Sequence, residues 1–133
     1  MKLVQFLKNK EKTLKKFYSS LGKIYKQDVD IIICETMASI YEGIVSATTA
    51  KDYCDRVWLS WTTRGNKLNR LPSTELLEDA ITKALSLDIE CQLVNCVHAD
   101  TATLAIDKLI KQKNFGIYAN SSIYKKKQAR RIC

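Results

Sequence analysis

The sequence predicts an α/β domain with a parallel sheet, in the order β-α-β-α-β-α-β, and three observations carry that prediction. Four short runs, Asp30 to Thr36, Val57 to Thr62, Leu93 to Cys96 and Phe115 to Ser121, are apolar and each closes on a polar or reactive residue. Successive run ends lie roughly 25 to 35 residues apart, the length of a βαβ unit whose crossover is a helix. The stretches between them repeat apolar residues at three- and four-residue steps, the period of a helix with one buried face.

Taken in order, residues 2–26 read as a helix, with Leu14, Phe17, Tyr18, Leu21, Ile24 and Tyr25 forming one apolar stripe. The first strand is expected at about Val29 to Cys34. Ser39-x-x-Glu42 has capping-box spacing and announces a helix running to about Asp52. Trp58 to Thr62 is the second strand, followed by a polar loop that ends near Pro72. Ser73 is expected to cap the next helix, with Glu75, Glu78 and Asp79 at its positive end. Its buried stripe is Leu76, Leu77, Ala80, Ile81, Ala84 and Leu85. Asp100 or Thr101 opens the last helix, which buries Ala102, Ala105, Ile106, Leu109 and Ile110, and Phe115 to Asn120 is the last strand.

At 133 residues and 46% hydrophobic content the chain has the makings of one domain with a core. A complete (β/α)8 barrel needs about 200 to 250 residues, so four units at this spacing make half of one. The alternative is a small open sheet. The net charge of +8 is concentrated at the ends. Residues 1–27 hold eight lysines and one acid, residues 125–133 five basic residues, and the rest nine basic and thirteen acidic residues, so the ends carry +12 and the middle −4. The βα core therefore has no electrostatic footprint for nucleic acid, and solvated lysines on an exposed face account for the ends.

Five cysteines without C-x-x-C spacing give no disulfide framework. No 18-residue apolar stretch and no secretory leader are read from the sequence, so a cytoplasmic setting is expected.

In parallel sheets chemistry gathers at the carboxyl ends of strands, which singles out Glu35, Cys96 and Asn120, with Ser60 on the second strand. Glu35 at a strand end suits a ligand's ammonium group or a base, or else is a loop carboxylate in water. Its neighbour Cys34 must face the other side of the sheet, under a helix. Cys96 offers a thiolate ligand or a nucleophile, or is an inert buried thiol. Cys96-x-His98 holds two metal-competent side chains where a zinc site needs more. The chain has no phosphate-cradling glycine-rich loop, G-x-S-x-G or H-E-x-x-H.

At Asp30-x4-Glu35-Thr36, Trp58-x-Ser60-Trp61-Thr62, Asn95-Cys96 and Tyr118-x-Asn120-Ser121 the chain resembles the homocysteine S-methyltransferase family. The resemblance spans about residues 17–121. It implies strands four to seven of a (β/α)8 TIM barrel, methyl transfer to the homocysteine thiolate giving methionine, and a zinc ion held by three cysteines. Carried over by position, Cys96 resembles the first zinc ligand, Glu35 the carboxylate that receives the homocysteine amino group, and Asn120 part of the strand end below the site. The adjacent cysteine pair that supplies the other two ligands has no counterpart here.

The expected organisation is a basic N-terminal helix over 1–27, βα units over 28–121 and a basic tail over 122–133. The expected partners are homocysteine and a methyl donor, with self-association or a complementary fragment, and neither nucleic acid nor membrane. The resemblance is to a fragment of a zinc-dependent homocysteine S-methyltransferase, incomplete as an isolated chain, and the alternative is a non-catalytic half-barrel that serves as a binding or interaction module. A third reading, an RNA- or membrane-surface protein, rests on the basic ends alone.

Overall fold

The structure, a computed structural model, describes residues 2–26, 28–64 and 70–121, with side chains from Asn9 onward. Helix α1 (Lys2–Tyr25) precedes strand β1 (Ile32–Met37), α2 (Ile40–Lys51), β2 (Val57–Trp61), α3 (Leu77–Ala84), β3 (Cys91–His98), α4 (Ala99–Leu109) and β4 (Phe115–Asn120). The strands form one sheet in the order β1-β2-β3-β4, with every neighbouring pair parallel. This sequential order matches a segment of barrel. A doubly wound sheet would reverse direction partway.

Alternation along the strands decides which side chains meet the helices. Cys34, Val57, Leu59, Trp61 and Val94 join Ala47 and Ala50 of α2, Ala80 and Ala84 of α3, and Ala102 and Ala105 of α4 in one core. The helices thus cover one face. The small residues on their inner sides let them approach closely, and Gly43 is the extreme case. A Cβ there would lie 2.4 Å from the Trp61 ring, so the fully buried indole requires glycine on α2. The Trp61 N–H donates to Gln92 Oε1 at 3.0 Å, and Gln92 donates to the Ile81 carbonyl at 3.0 Å, so the buried indole and the amide beside it are bonded.

Several expectations are corrected. β1 begins at Ile32 and runs to Met37, three residues beyond the expected end at Cys34, because a bulge with Thr36 at φ 61° carries the strand past Glu35. Ser39 does accept from the Glu42 N–H at 3.2 Å, but Glu42 reaches the Ala38 N–H at 3.4 Å, one residue before the cap. Ser73 does not cap α3, which starts at Leu77 with no side-chain cap on Leu76. Ser73 instead donates to Glu75 Oε2 at 2.5 Å, and that oxygen accepts from the Ile40 N–H at 2.9 Å, so the pair serves the N-terminus of α2.

Leu85 and Ile110, expected inside, are 59% and 60% exposed because each lies beyond the last turn that touches the sheet. The α1 stripe is also open: Gly22 is buried against Tyr53, yet Phe17 and Ile24 are 57% and 66% exposed. The loop over 65–69 and the basic tail from 122, including Cys133, lie outside the described residues.

Candidate functional site

The face of the sheet away from the helices carries a row of polar side chains at the carboxyl ends of the strands. Alternation turns Cys34 under α2, where it is buried beside Ser46, and turns Glu35 to the open side. Glu35 Oε1 accepts from the Tyr118 hydroxyl at 2.6 Å, a bond that reaches from the last strand to the first. Burial, followed by the Glu35 hydrogen bond, pushes the Tyr118 phenol up to about 12. The Ser60 hydroxyl beside it pulls the other way, and the negative charge of Glu35 and, where ionised, of nearby Cys96 adds to the rise.

Asn95 organises the middle of the row. Its Oδ1 accepts from the Ser60 hydroxyl at 2.7 Å and from the Thr36 N–H at 3.1 Å, and its Nδ2 donates to Thr36 Oγ1 at 2.9 Å. Ser60 is fully buried and Asn95 4% exposed, so the bond between them is made out of water, where leaving it unmade is costly. Thr36 and Cys96, each following a residue of the row, both have positive φ, 61° and 55°. A β-branched residue in that region is strained by about 1–2 kcal/mol, and the two bonds from Asn95 hold Thr36 there. Both residues sit at register shifts, between Cys34 and Met37 on β1 and between Asn95 and His98 on β3.

The bulge on β3 decides the character of Cys96. Inside an apolar run it was open to reading as a buried thiol, but the αL turn expels it and it is exposed. His98 Nδ1 lies 3.6 Å from Asp100 Oδ2. The other described cysteines do not approach Cys96. Cys34 lies on the helix side, Cys91 is buried at the start of β3, and Cys54 donates to the Asp30 and Arg56 carbonyls at the opposite end of the sheet. Among the described residues no three His, Cys, Asp or Glu side chains are grouped to hold a metal ion.

Of the residues singled out by sequence, Glu35 is bonded to Tyr118 and Ser60 to Asn95, the Ser60 hydroxyl also lies beside the Tyr118 phenol, and Cys96 stands next to them. Asn120 is exposed at the end of β4, opposite His98 in register, and takes no part in the bonds of the row. Sequence reasoning passed over Thr36, Asn95 and Tyr118 as site residues. The available signal was parity: Asn95 is a polar residue on the same alternation as Leu93, in a run that otherwise reads as fully buried.

The Homocysteine S-methyltransferase family model matches residues 3–131. No curated protein matches the chain. Among solved structures, the homocysteine methyltransferase MmuM from Escherichia coli in its apo form is similar, with a TM-score of 0.73 and 20% identity over 84% of this chain. That likeness establishes the fold, a half-barrel of the TIM type. The chain spans 44% of the length of MmuM. No helix among the described residues is long and apolar enough to cross a membrane. On the strength of a family match over nearly all of its residues, the chain belongs to the homocysteine S-methyltransferase family.

Proposed function

We propose that the open face at the carboxyl ends of β1 to β4 is the homocysteine-binding wall of a methyltransferase, with Glu35 receiving the substrate's amino group. The observation that carries this reading is the Glu35 carboxylate on the helix-free face, with one oxygen fixed by Tyr118. An ionised carboxylate has about four lone-pair sites, so the fixed oxygen leaves acceptor capacity for an ammonium group. Ser60 and Asn95 set the floor beneath it, and Asn120 closes the strand end on the β4 side.

Cys96 is the exposed thiol at the same end of the sheet, and in this reading it is one ligand of a zinc ion that lowers the pKa of the homocysteine thiol. A complete zinc centre does not fit the described residues, which supply one thiolate at this end of the sheet where three are implied. No step of methyl transfer is therefore assigned to this chain, and the incomplete ligand set favours a second reading in which the isolated chain binds homocysteine without turning it over.

Calorimetric titration with L-homocysteine tests the reading. Saturable binding is expected, weakened about tenfold or more in Glu35→Gln, since a charge-assisted hydrogen bond contributes about 1.5–3 kcal/mol. The desamino analogue 4-mercaptobutyrate should bind the unaltered chain as weakly as homocysteine binds the variant. Equal affinity of homocysteine for both proteins would remove Glu35 from the role.

A further inference from the structure

We propose that Asn95 is a positioning residue for the site: from two strands away, and through Thr36, it sets the Glu35 carboxylate for the ligand's amino group. The inference rests on the homocysteine reading and adds to it a residue that acts through Glu35 and not on the ligand. β1 and β3 are not neighbours in the sheet, since β2 lies between them, so no ladder of backbone bonds relates their ends. The Asn95 side chain makes that link, across a strand whose residue beneath it is the small, fully buried Ser60.

Both linked strands break step with a neighbour at this level. Cys34 pairs with Leu59 and Met37 with Trp61, so β1 takes three steps, 34 to 37, where β2 takes two, 59 to 61. Asn95 pairs with Tyr118 and His98 with Asn120, so β3 takes three steps, 95 to 98, where β4 takes two, 118 to 120. The extra residue on β1 reverses its parity. Cys34 and Met37 both lie in the core, although an odd spacing puts residues on opposite faces of a regular strand. Thr36, at φ 61°, is where the parity turns, directly after Glu35. With the bulge removed and Met37 kept in the core, alternation would turn Glu35 to the covered face. A β-branched residue holds the left-handed conformation at a cost, and Asn95 offsets it by accepting from the Thr36 N–H at 3.1 Å and donating to Thr36 Oγ1 at 2.9 Å. The Glu35 carboxylate is held a second time by Tyr118, the residue that Asn95 faces in register, so both holds on Glu35 come from one rung of the β3–β4 pair. Asn95 itself is 4% exposed and its Oδ1 accepts two bonds, which places it beneath the site.

Calorimetric titration of the full chain with L-homocysteine and with 4-mercaptobutyrate, which lacks the amino group, tests the proposal. In Asn95→Ala, checked for folding by circular dichroism, the preference for homocysteine over the desamino probe should fall about fivefold, the worth of a hydrogen bond acting through Glu35. General loosening of the fold would weaken both ligands alike and leave that ratio where it stands in the unaltered chain. Thr36→Val removes the acceptor of Asn95 Nδ2 and keeps the shape, whereas Thr36→Ser keeps the acceptor, so the ratio should fall further in the first than in the second. That pair decides the matter if Asn95→Ala does not fold. A ratio unchanged in Asn95→Ala, or equal in the two Thr36 variants, overturns the proposal and leaves the homocysteine reading standing. Absence of any preference in the unaltered chain removes that reading, and the proposal with it.

Discussion

On the helix-covered face of the sheet Val57, Leu59, Trp61 and Val94 are fully buried, whereas the alternate positions on the other face hold a polar row in which Tyr118 is bonded to Glu35 and Ser60 to Asn95. The same strands supply both sets, one residue apart. On the covered face, position is held by close packing of rings and methyl groups against alanines and glycine. On the open face it is held by directed bonds that also fix the strained Thr36. The first arrangement makes the molecule stable, and the second leaves acceptors available to a ligand.

Removing a ring from the covered face should have the largest effect. Trp61→Ala empties the space against Gly43 and leaves Gln92 Oε1 without its donor, and is expected to cost about 3–5 kcal/mol in denaturant unfolding, much of a typical domain's stability. A loss below about 1 kcal/mol would mean that the face does not carry the fold. On the open face, Asn95→Leu leaves the buried Ser60 hydroxyl without its acceptor and releases Thr36. About 1–3 kcal/mol is expected, together with an increase in hydrogen exchange at the Thr36 amide. Unaltered exchange at Thr36 would separate the two strand ends that Asn95 is argued to join.

The smallest effect concerns pH. The folded Tyr118 phenol titrates at about 12, above the ordinary value of 10, so the neutral form is favoured in the fold. Its contribution to stability is present in full below pH 10 and is lost as pH rises through about 12. Glu35→Gln should lower the midpoint while leaving it above 10, because burial is the larger cause. Phenolate absorbance reads this in a Tyr18→Phe background, since Tyr18 is also pushed up to about 12. No change of midpoint would deny the bond between Tyr118 and Glu35.

The helix and strand periods made the order of elements legible, because each helix buries one stripe and each strand alternates. Strand alternation alone also placed Glu35 and Cys34 on opposite faces. The ends of β1 and β3 were not legible, since no local residue type announces a Thr or a Cys at positive φ, and both depend on a partner strand. Asn95 links residues 59 apart in sequence, and Ser73 and Glu75 serve a helix more than thirty residues upstream, so neither role follows from a local pattern. The α1 stripe has the period of a buried helix, yet what would bury it is not among the described residues.

The central claim is that the open face, and not the groove beside α1 or the covered core, receives homocysteine. Amide and side-chain chemical shifts recorded during a titration with L-homocysteine test it most directly. The account predicts concerted shifts at Glu35, Thr36, Ser60, Asn95, Cys96 and Tyr118, with Cys34, Leu59 and Val94 nearly unmoved. Shifts centred on Leu21, Gly22 and Met37, which line the groove beside α1, or no saturable shifts at all, would contradict it.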